Sequence, residues 1–191
     1  MCDNKCNTTN NINPNNNRNS EPASTKSHKH DTKTLISFAV LTISTSKYEA
    51  RGDDRSGIVL KDSIEKSGHS VKEKGLVSDE KEMIIGKVKQ YLKNPAIDII
   101  ITTGGTGLAK RDITIESLKP LFEKELTGFN SLFMHLSYEA IGSACVLSRA
   151  TAGTIGKKAI FCLPGSPDAC SLAMEKIILK EAGHILKHAG E

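Results

Sequence analysis

Leu35 to Ile43 (Leu-Ile-Ser-Phe-Ala-Val-Leu-Thr-Ile) is a short β-branched and apolar run without helical spacing, which predicts a buried strand. A polar loop from Ser44 to Ser56 follows, carrying Arg51, Asp53, Asp54 and Arg55. Asp54 or Ser56 then caps a predicted helix that turns Ile58, Leu60 and Ile64 inward and ends at Gly68. Ser70 to Val77 alternates weakly and is interrupted by lysines, as expected of an edge strand protected against unwanted pairing. Asp79 and Glu82 have capping-box spacing ahead of a helix with Met83, Ile84, Val88, Tyr91 and Leu92 on one face and Pro95 beyond its end.

Ile97 to Thr103 repeats the buried-strand pattern. Helical spacing returns over Ile115 to Phe122 and Phe129 to Leu136, separated by Leu126-Thr127-Gly128. Cys145 to Ser148 and Ala159 to Leu163 are predicted strands, with Gly153 and Gly156 in the connection. Ser166 is placed to cap a last helical segment with Pro167 in its first position, and Leu172, Ile177, Ile178, Ile185 and Leu186 lie along it. Strand and helix in alternation predict a three-layer α/β/α sandwich with a mostly parallel sheet. The loops that follow the strands then gather along one edge, where such sheets place ligands.

Composition divides the chain in two. Residues 1–33 are rich in Asn, Ser, Thr and Lys with almost no large apolar side chain, so they are expected to be a disordered tail, and residues 34–191 one globular domain. The formal net charge is +4, and about +2 once the tail is set aside, which argues against nucleic-acid binding by a broad basic face. No signal-peptide core or long apolar run occurs, so the expectation is a cytoplasmic chain with no membrane partner. Of the five cysteines, Cys145, Cys162 and Cys170 sit in apolar surroundings as reduced structural thiols, and Cys2 and Cys6 lack the second pair a structural zinc would need.

The chemistry concentrates in Thr102-Thr103-Gly104-Gly105-Thr106-Gly107 and the Lys110-Arg111-Asp112 that follows. Glycines after a buried strand leave backbone amides open to a phosphate, Thr106 adds a hydroxyl, Lys110 and Arg111 add charge, and Asp112 offers a carboxylate to a divalent ion. Thr114 is placed to cap the next helix. The same string also serves as a plain strand-to-helix turn. A P-loop is excluded because no Gly-x4-Gly-Lys-Ser/Thr occurs, and a Rossmann fingerprint because a third glycine near Lys110 is missing. Pro164-Gly165-Ser166-Pro167 opens a helix after a buried strand and is a second candidate anion site. Asp79 serves equally as a helix cap, and the Asp54 loop as a surface turn. His135, and His184 with His188 one turn apart, are read as ordinary helix residues because no third ligand stands at metal spacing.

Thr-Thr-Gly-Gly-Thr-Gly at 102–107, Arg-Asp-Ile-Thr at 111–114, Leu-Ser-Arg at 147–149 and Leu-Pro-Gly-Ser-Pro at 163–167 together resemble the MogA/MoaB molybdopterin-binding proteins, including archaeal MoaB-like members. The resemblance runs in register from about Leu35 to the C-terminus. It implies a molybdopterin-binding fold and molybdopterin adenylyltransferase activity, in which molybdopterin reacts with Mg-ATP to give adenylylated molybdopterin and pyrophosphate. It also implies that Asp79 and Asp112 are the catalytic and Mg2+-holding carboxylates, and that Thr103, Gly104, Gly105, Thr106 and Gly107 form the nucleotide loop. Ser148, Arg149, Pro164, Gly165, Ser166 and Pro167 would line the ligands, Asp54 matches the acidic residue before the family's first-helix Ser-Gly, and the assembly would be a homo-oligomer, trimer or hexamer.

The chain departs from that pattern at Met134, at Ile115 and in Ser44-Thr45-Ser46, which lacks an aspartate frequent there. Two other functions fit the same motifs. One is a molybdopterin-binding scaffold without turnover, and the other a hydrolase of nucleotide pyrophosphates on the same fold.

Overall fold

The computed structural model describes residues 35–50 and 52–191, all within the compact unit 31–191. The tail at 1–33, with Cys2 and Cys6, and Arg51 lie outside the described residues. Six strands form one sheet in the order β2-β1-β3-β6-β5-β4. They are β1 (Ser37–Ile43), β2 (Ser70–Val77), β3 (Ile99–Thr103), β4 (Lys124–Glu125), β5 (Thr151–Ile155) and β6 (Lys158–Leu163). Strands β2, β1, β3 and β6 run parallel, and β5 and β4 complete the sheet in antiparallel pairings.

The helices are α1 (Thr45–Ala50), α2 (Arg55–Lys66), α3 (Lys81–Lys93), α4 (Thr114–Leu118), α5 (Thr127–Ile141), α6 (Pro167–Ala173) and α7 (Leu179–Gly190). A π-helical turn, Met174–Ile178, joins the last two. Both sheet faces are covered, so the central strands are apolar on both sides rather than alternating with polar residues. Phe38, Val40, Ile99, Ile101, Phe161 and Leu163 point to the layer that holds Leu60, Ile64, Phe129, Phe133 and Met174. Their neighbours Ala39, Leu41, Ile43, Ile100, Ile160 and Cys162 point the other way, onto Ile84, Val88, Tyr91 and Leu118. The three-layer mostly parallel sandwich is therefore as the pattern predicts, with β2 at one edge.

Four local expectations are corrected. Cys145 to Ser148 is not a strand: Gly142–Leu147 is a 3-10 helix that continues α5, and the strand is Thr151–Ile155, with Gly153 inside it. Gly153 hid this strand, yet it is there because Phe122 packs where a side chain would go, a Cβ at 153 lying 2.3 Å from the ring. Ile58 faces outward, 46% exposed, whereas Leu60 and Ile64 are fully buried. The Asp79–Glu82 capping box does not form, because Glu80 is the cap residue and makes no side-chain cap bond. Nor does Thr114 cap α4: it is the first helical residue, after Ile113, and the 3-10 turn Lys119–Leu121 takes over where α4 ends.

Of the thiols, Cys145, Cys162 and Cys170 are free and buried, and burial pushes Cys162 up to about 12 and Cys170 up to about 11. Neither of these two is a thiolate at neutral pH, which suits packing rather than nucleophilic chemistry.

Candidate active site

Parallel strands β1, β2, β3 and β6 deliver their C-terminal ends to one edge, and the loops leaving them enclose a cleft of about 230 Å3. Its walls come from Thr42, Ile43, Ser44, Ser46 and Lys47, from Ser56 at the start of α2, from Asp79 after β2, from Thr103 at the end of β3 with Gly104, Gly105, Arg111 and Asp112 after it, and from Gly165 after β6.

The glycine loop is built by backbone geometry that side chains would prevent. Gly104 and Gly105 have φ of 98° and 62°, and a Cβ on Gly104 would lie 2.2 Å from the Ile43 carbonyl oxygen. Gly104 N–H donates to Leu163 O at 3.1 Å, Thr114 N–H to Gly105 O at 2.9 Å, and Thr114 Oγ1 to Gly104 O at 2.9 Å. These bonds tie the loop to β6 and to α4. Thr114 was expected as a cap and instead fixes the loop's carbonyls.

Asp79 turns its carboxylate toward α1: Oδ2 accepts from Thr45 N–H at 2.7 Å and from Thr45 Oγ1 at 2.9 Å. Its Oδ1 lies beside the glycine loop, 2.9 Å from where a Gly105 Cβ would stand. Asp112 Oδ2 accepts from Ala109 N–H at 2.9 Å and sits 2.6 Å from a Cβ built on Gly107. Both carboxylates thus reach one cleft from different strands, positioned by contacts that leave part of each free.

Lys47 and Arg111 line the same cleft and make no ion pair with another described residue. Lys47 was not singled out from sequence. The signal available was a lysine four residues past the end of a buried β1, in a loop position where α/β sheets bind ligands.

The remaining motif residues stand behind the walls. Thr106 is 3% exposed. Arg149 Nη1 donates to Gly107 O at 3.0 Å, while Nη2 pairs with Glu116, so this arginine braces the glycine loop from outside. Burial pushes Glu116 up, but the hydrogen bond and charge from Arg149 outweigh it and hold the carboxyl below its ordinary value. Ser148 ends the 3-10 helix, its N–H donating to Cys145 O at 2.8 Å. Pro164 O accepts from Thr103 Oγ1 at 2.8 Å, Ser166 caps α6 through Ala169 N–H at 3.2 Å, and Pro167 occupies its first turn. Only Gly165 of that turn reaches the cleft lining, against Gly104.

Asp54 caps α2, its Oδ1 accepting from Gly57 N–H at 3.0 Å and from Thr42 Oγ1 at 2.8 Å, and its Oδ2 pairing with Lys74 at 3.0 Å. Burial raises its pKa, yet the bonds from Lys74, Thr42 and Gly57 together with the Lys74 charge hold it below the ordinary value. His184 and His188 face each other with 2.9 Å between their Nε2 atoms, far along the chain from these loops. Among the described residues no group of three or more His, Cys, Asp or Glu side chains is arranged to hold a metal ion.

A glycine loop, two carboxylates and two cations that pair with no other described residue thus meet at the carboxyl edge of a parallel sheet, the edge at which α/β proteins place ligands. Residues 39–184 match the family described as "Probable molybdopterin binding domain". The chain is 43% identical over 159 residues to Molybdenum cofactor biosynthesis protein B of Bacillus cereus, covering 83% of this chain and 93% of that protein. It is 44% identical over 161 residues to a "Probable molybdopterin adenylyltransferase" of Methanocaldococcus jannaschii, covering 82% and 95%. The crystal structure of the tungsten cofactor synthesizing protein MoaB from Pyrococcus furiosus superposes with a TM-score of 0.77 at 39% identity, covering 83% of this chain and 99% of that one. The chain belongs to the MoaB family of molybdenum cofactor biosynthesis proteins.

Proposed function

We propose that this chain is a molybdopterin adenylyltransferase, joining the AMP of ATP to the phosphate of molybdopterin and releasing pyrophosphate. The observation that carries the reading is the convergence of Asp79, Asp112, the Gly104–Gly105 loop, Lys47 and Arg111 on one cleft. Nucleotidyl transfer depends mainly on aligning the attacking oxygen and on neutralising charge, and these residue types supply both. The amides of the glycine loop and the Arg111 guanidinium bind the nucleotide phosphates. Asp79 and Asp112 would hold Mg2+, an ion that one or two protein carboxylates suffice to bind beside a phosphate ligand. When bound, it would offset charge on the phosphates. The attacking phosphate is already ionised near neutral pH, so neither aspartate has to act as a base. Thr45 holds the Asp79 carboxylate in place, and Arg149 engages the Gly107 carbonyl through its own hydrogen bond.

We further propose that the chain works as a homo-oligomer. Tyr138, Ile141, Val146 and Leu147, on α5 and the 3-10 helix that follows it, are each more than half exposed, and apolar groups gathered on such a face favour a protein partner. No described helix is long and apolar enough to cross a membrane.

Incubating the protein with Mg-ATP and molybdopterin tests the reading. Stoichiometric pyrophosphate and adenylylated pterin are expected. Pterin binding without product would replace it with a scaffold role, and ATP cleavage without pterin would replace it with a hydrolase.

A further inference from the structure

The last helix carries a histidine pair that the chemistry of the cleft does not use. His184 and His188 stand one turn apart on α7, with 2.9 Å between their Nε2 atoms. Each ring turns its other nitrogen toward a carboxylate: His188 Nδ1 lies 3.0 Å from Glu191 Oε2, and His184 Nδ1 lies 3.6 Å from Glu181 Oε2. Spacing alone reads the pair as ordinary helix residues, and the carboxylate behind each ring is visible only in the fold. A carboxylate only accepts, so His188 Nδ1 is the donor and Nε2 of the neutral ring keeps a lone pair. The Glu181 carboxylate favours the same tautomer of His184, because the other would turn a lone pair toward it. Two Nε2 lone pairs then face each other, and a cation between the rings satisfies both.

The distances suit a metal ion. Two nitrogens bound to one ion at about 2.0–2.1 Å, at right or tetrahedral angles, stand about 2.8–3.4 Å apart, and the observed separation falls in that range. His-x3-His is a spacing at which metal-binding chains present two imidazoles, and a carboxylate on the far nitrogen is the partner that fixes the tautomer of metal-bound histidines. Both rings also line a cavity of about 430 Å3, where the charge of Lys124 is opposed by the carboxylates of Glu123 and Glu191. Among the described residues no third His, Cys, Asp or Glu joins the two rings, so the remaining positions of an ion are left to water in that cavity. Imidazole donors suit the Ni2+ to Zn2+ end of the first row, whereas Mg2+ takes oxygen ligands.

We propose that His184 and His188 form a binding site for a divalent transition-metal ion of that class, held through both Nε2 atoms, with Glu181 and Glu191 orienting the rings. The site stands apart from the cleft. Gly156, which lines the same cavity, is in the turn before β6, and the six residues of that strand, about 20 Å of chain, lead from there to the Pro164–Gly165 loop. The ion ties two successive turns of α7 and stabilises the fold by its own binding, independently of the adenylyltransferase reading.

The test titrates untagged full-length protein calorimetrically with Ni2+ and with Zn2+, in excess Mg2+ to occupy oxygen-donor sites. Cys2, Cys6, His28 and His30 also offer ligands to such ions, so the quantity read is the difference between wild type and His184→Asn or His188→Asn. Each variant is expected to lose one equivalent of bound ion and most of the rise in melting temperature that Ni2+ gives the wild type. His188 is the more exposed ring, so its variant tests the site even where His184→Asn disturbs packing. Glu191→Ala should weaken the same equivalent by about tenfold, as removal of the group behind a metal-bound histidine does. Equal stoichiometry and an equal thermal shift in wild type and His188→Asn overturn the site and leave a pair bridged by a proton alone. Displacement of the equivalent by Mg2+ overturns the imidazole assignment as well.

Discussion

Thr45 holds Asp79 with two hydrogen bonds to one oxygen, from its N–H at 2.7 Å and from its hydroxyl at 2.9 Å. Asp79 N–H donates back to Thr45 Oγ1 at 3.1 Å, so the loops after β1 and β2 are joined by a closed exchange. Ser44-Thr45-Ser46 carries no carboxylate, and an aspartate at position 45 would set a second negative charge against Asp79. Thr45→Val keeps the backbone bond and loses the hydroxyl, so it should cost about 1 kcal/mol of stability and several-fold in turnover. Thermal unfolding and product formation on one preparation check both.

Asp112→Asn should leave folding intact, because the amide oxygen can still accept from Ala109 N–H and α4 is not capped by this residue. Loss of the charge should lower adenylylated product by about two orders of magnitude or more, and Asp79→Asn should act in the same direction. Near-wild-type turnover in a folded Asp112→Asn protein would remove it from the chemistry.

The glycines separate by what surrounds them. Gly105→Ala puts a Cβ 2.5 Å from Thr114 Oγ1 at a φ of 62°, so it should destabilise by about 1–3 kcal/mol as well as impair ATP binding. Gly107 has no positive φ, and its added Cβ meets the movable end of Asp112. Gly107→Ala should therefore lower turnover with little change in melting temperature, and an unchanged kcat would show that the Asp112 carboxylate can move without consequence.

The Asp54–Lys74 pair predicts a pH dependence. A carboxyl whose folded pKa is depressed contributes stability above its unfolded value near 3.9, and loses it as pH falls through the lower folded value. Lys74→Met should cost about 1–2 kcal/mol near neutral pH, tempered by the solvent access of the lysine. The difference from wild type should shrink as the pH drops below the ordinary carboxylate range. Urea titrations at pH 7 and in acid measure it, and a gap that widened in acid would contradict the sign.

Much of this was legible because the central strands are fully buried, and a two-faced apolar run such as Ile99 to Ile101 is visible without context. The glycine loop and Asp112 could be located because they lie in contiguous motifs, Thr102 to Gly107 and Arg111 to Thr114, whereas Asp79 stands outside them and was reached only through the family resemblance. What escaped was set by tertiary contact. Thr114 and Asp79 carry capping chemistry that local spacing assigns to their own helices, yet Thr114 Oγ1 bonds Gly104 O and Asp79 bonds Thr45, thirty-four residues away. Lys47 belongs to no motif, and only the gathering of strand ends brings it to the cleft.

The loops at the ligand edge are cross-stitched: Gly104 N–H bonds Leu163 O, Thr103 Oγ1 bonds Pro164 O, and Gly165 lies against the Gly104 Cα. Lengthening either loop would therefore shear the other, which leaves the cleft little freedom for insertions. The β5–β6 hairpin turn is the reverse case. Gly156 has a φ of 55° with nothing within 4 Å of an added Cβ, and it lies at the end of β6 remote from the cleft. For an engineer, that turn is the place to splice a fluorophore or affinity peptide and still read out an undisturbed catalyst.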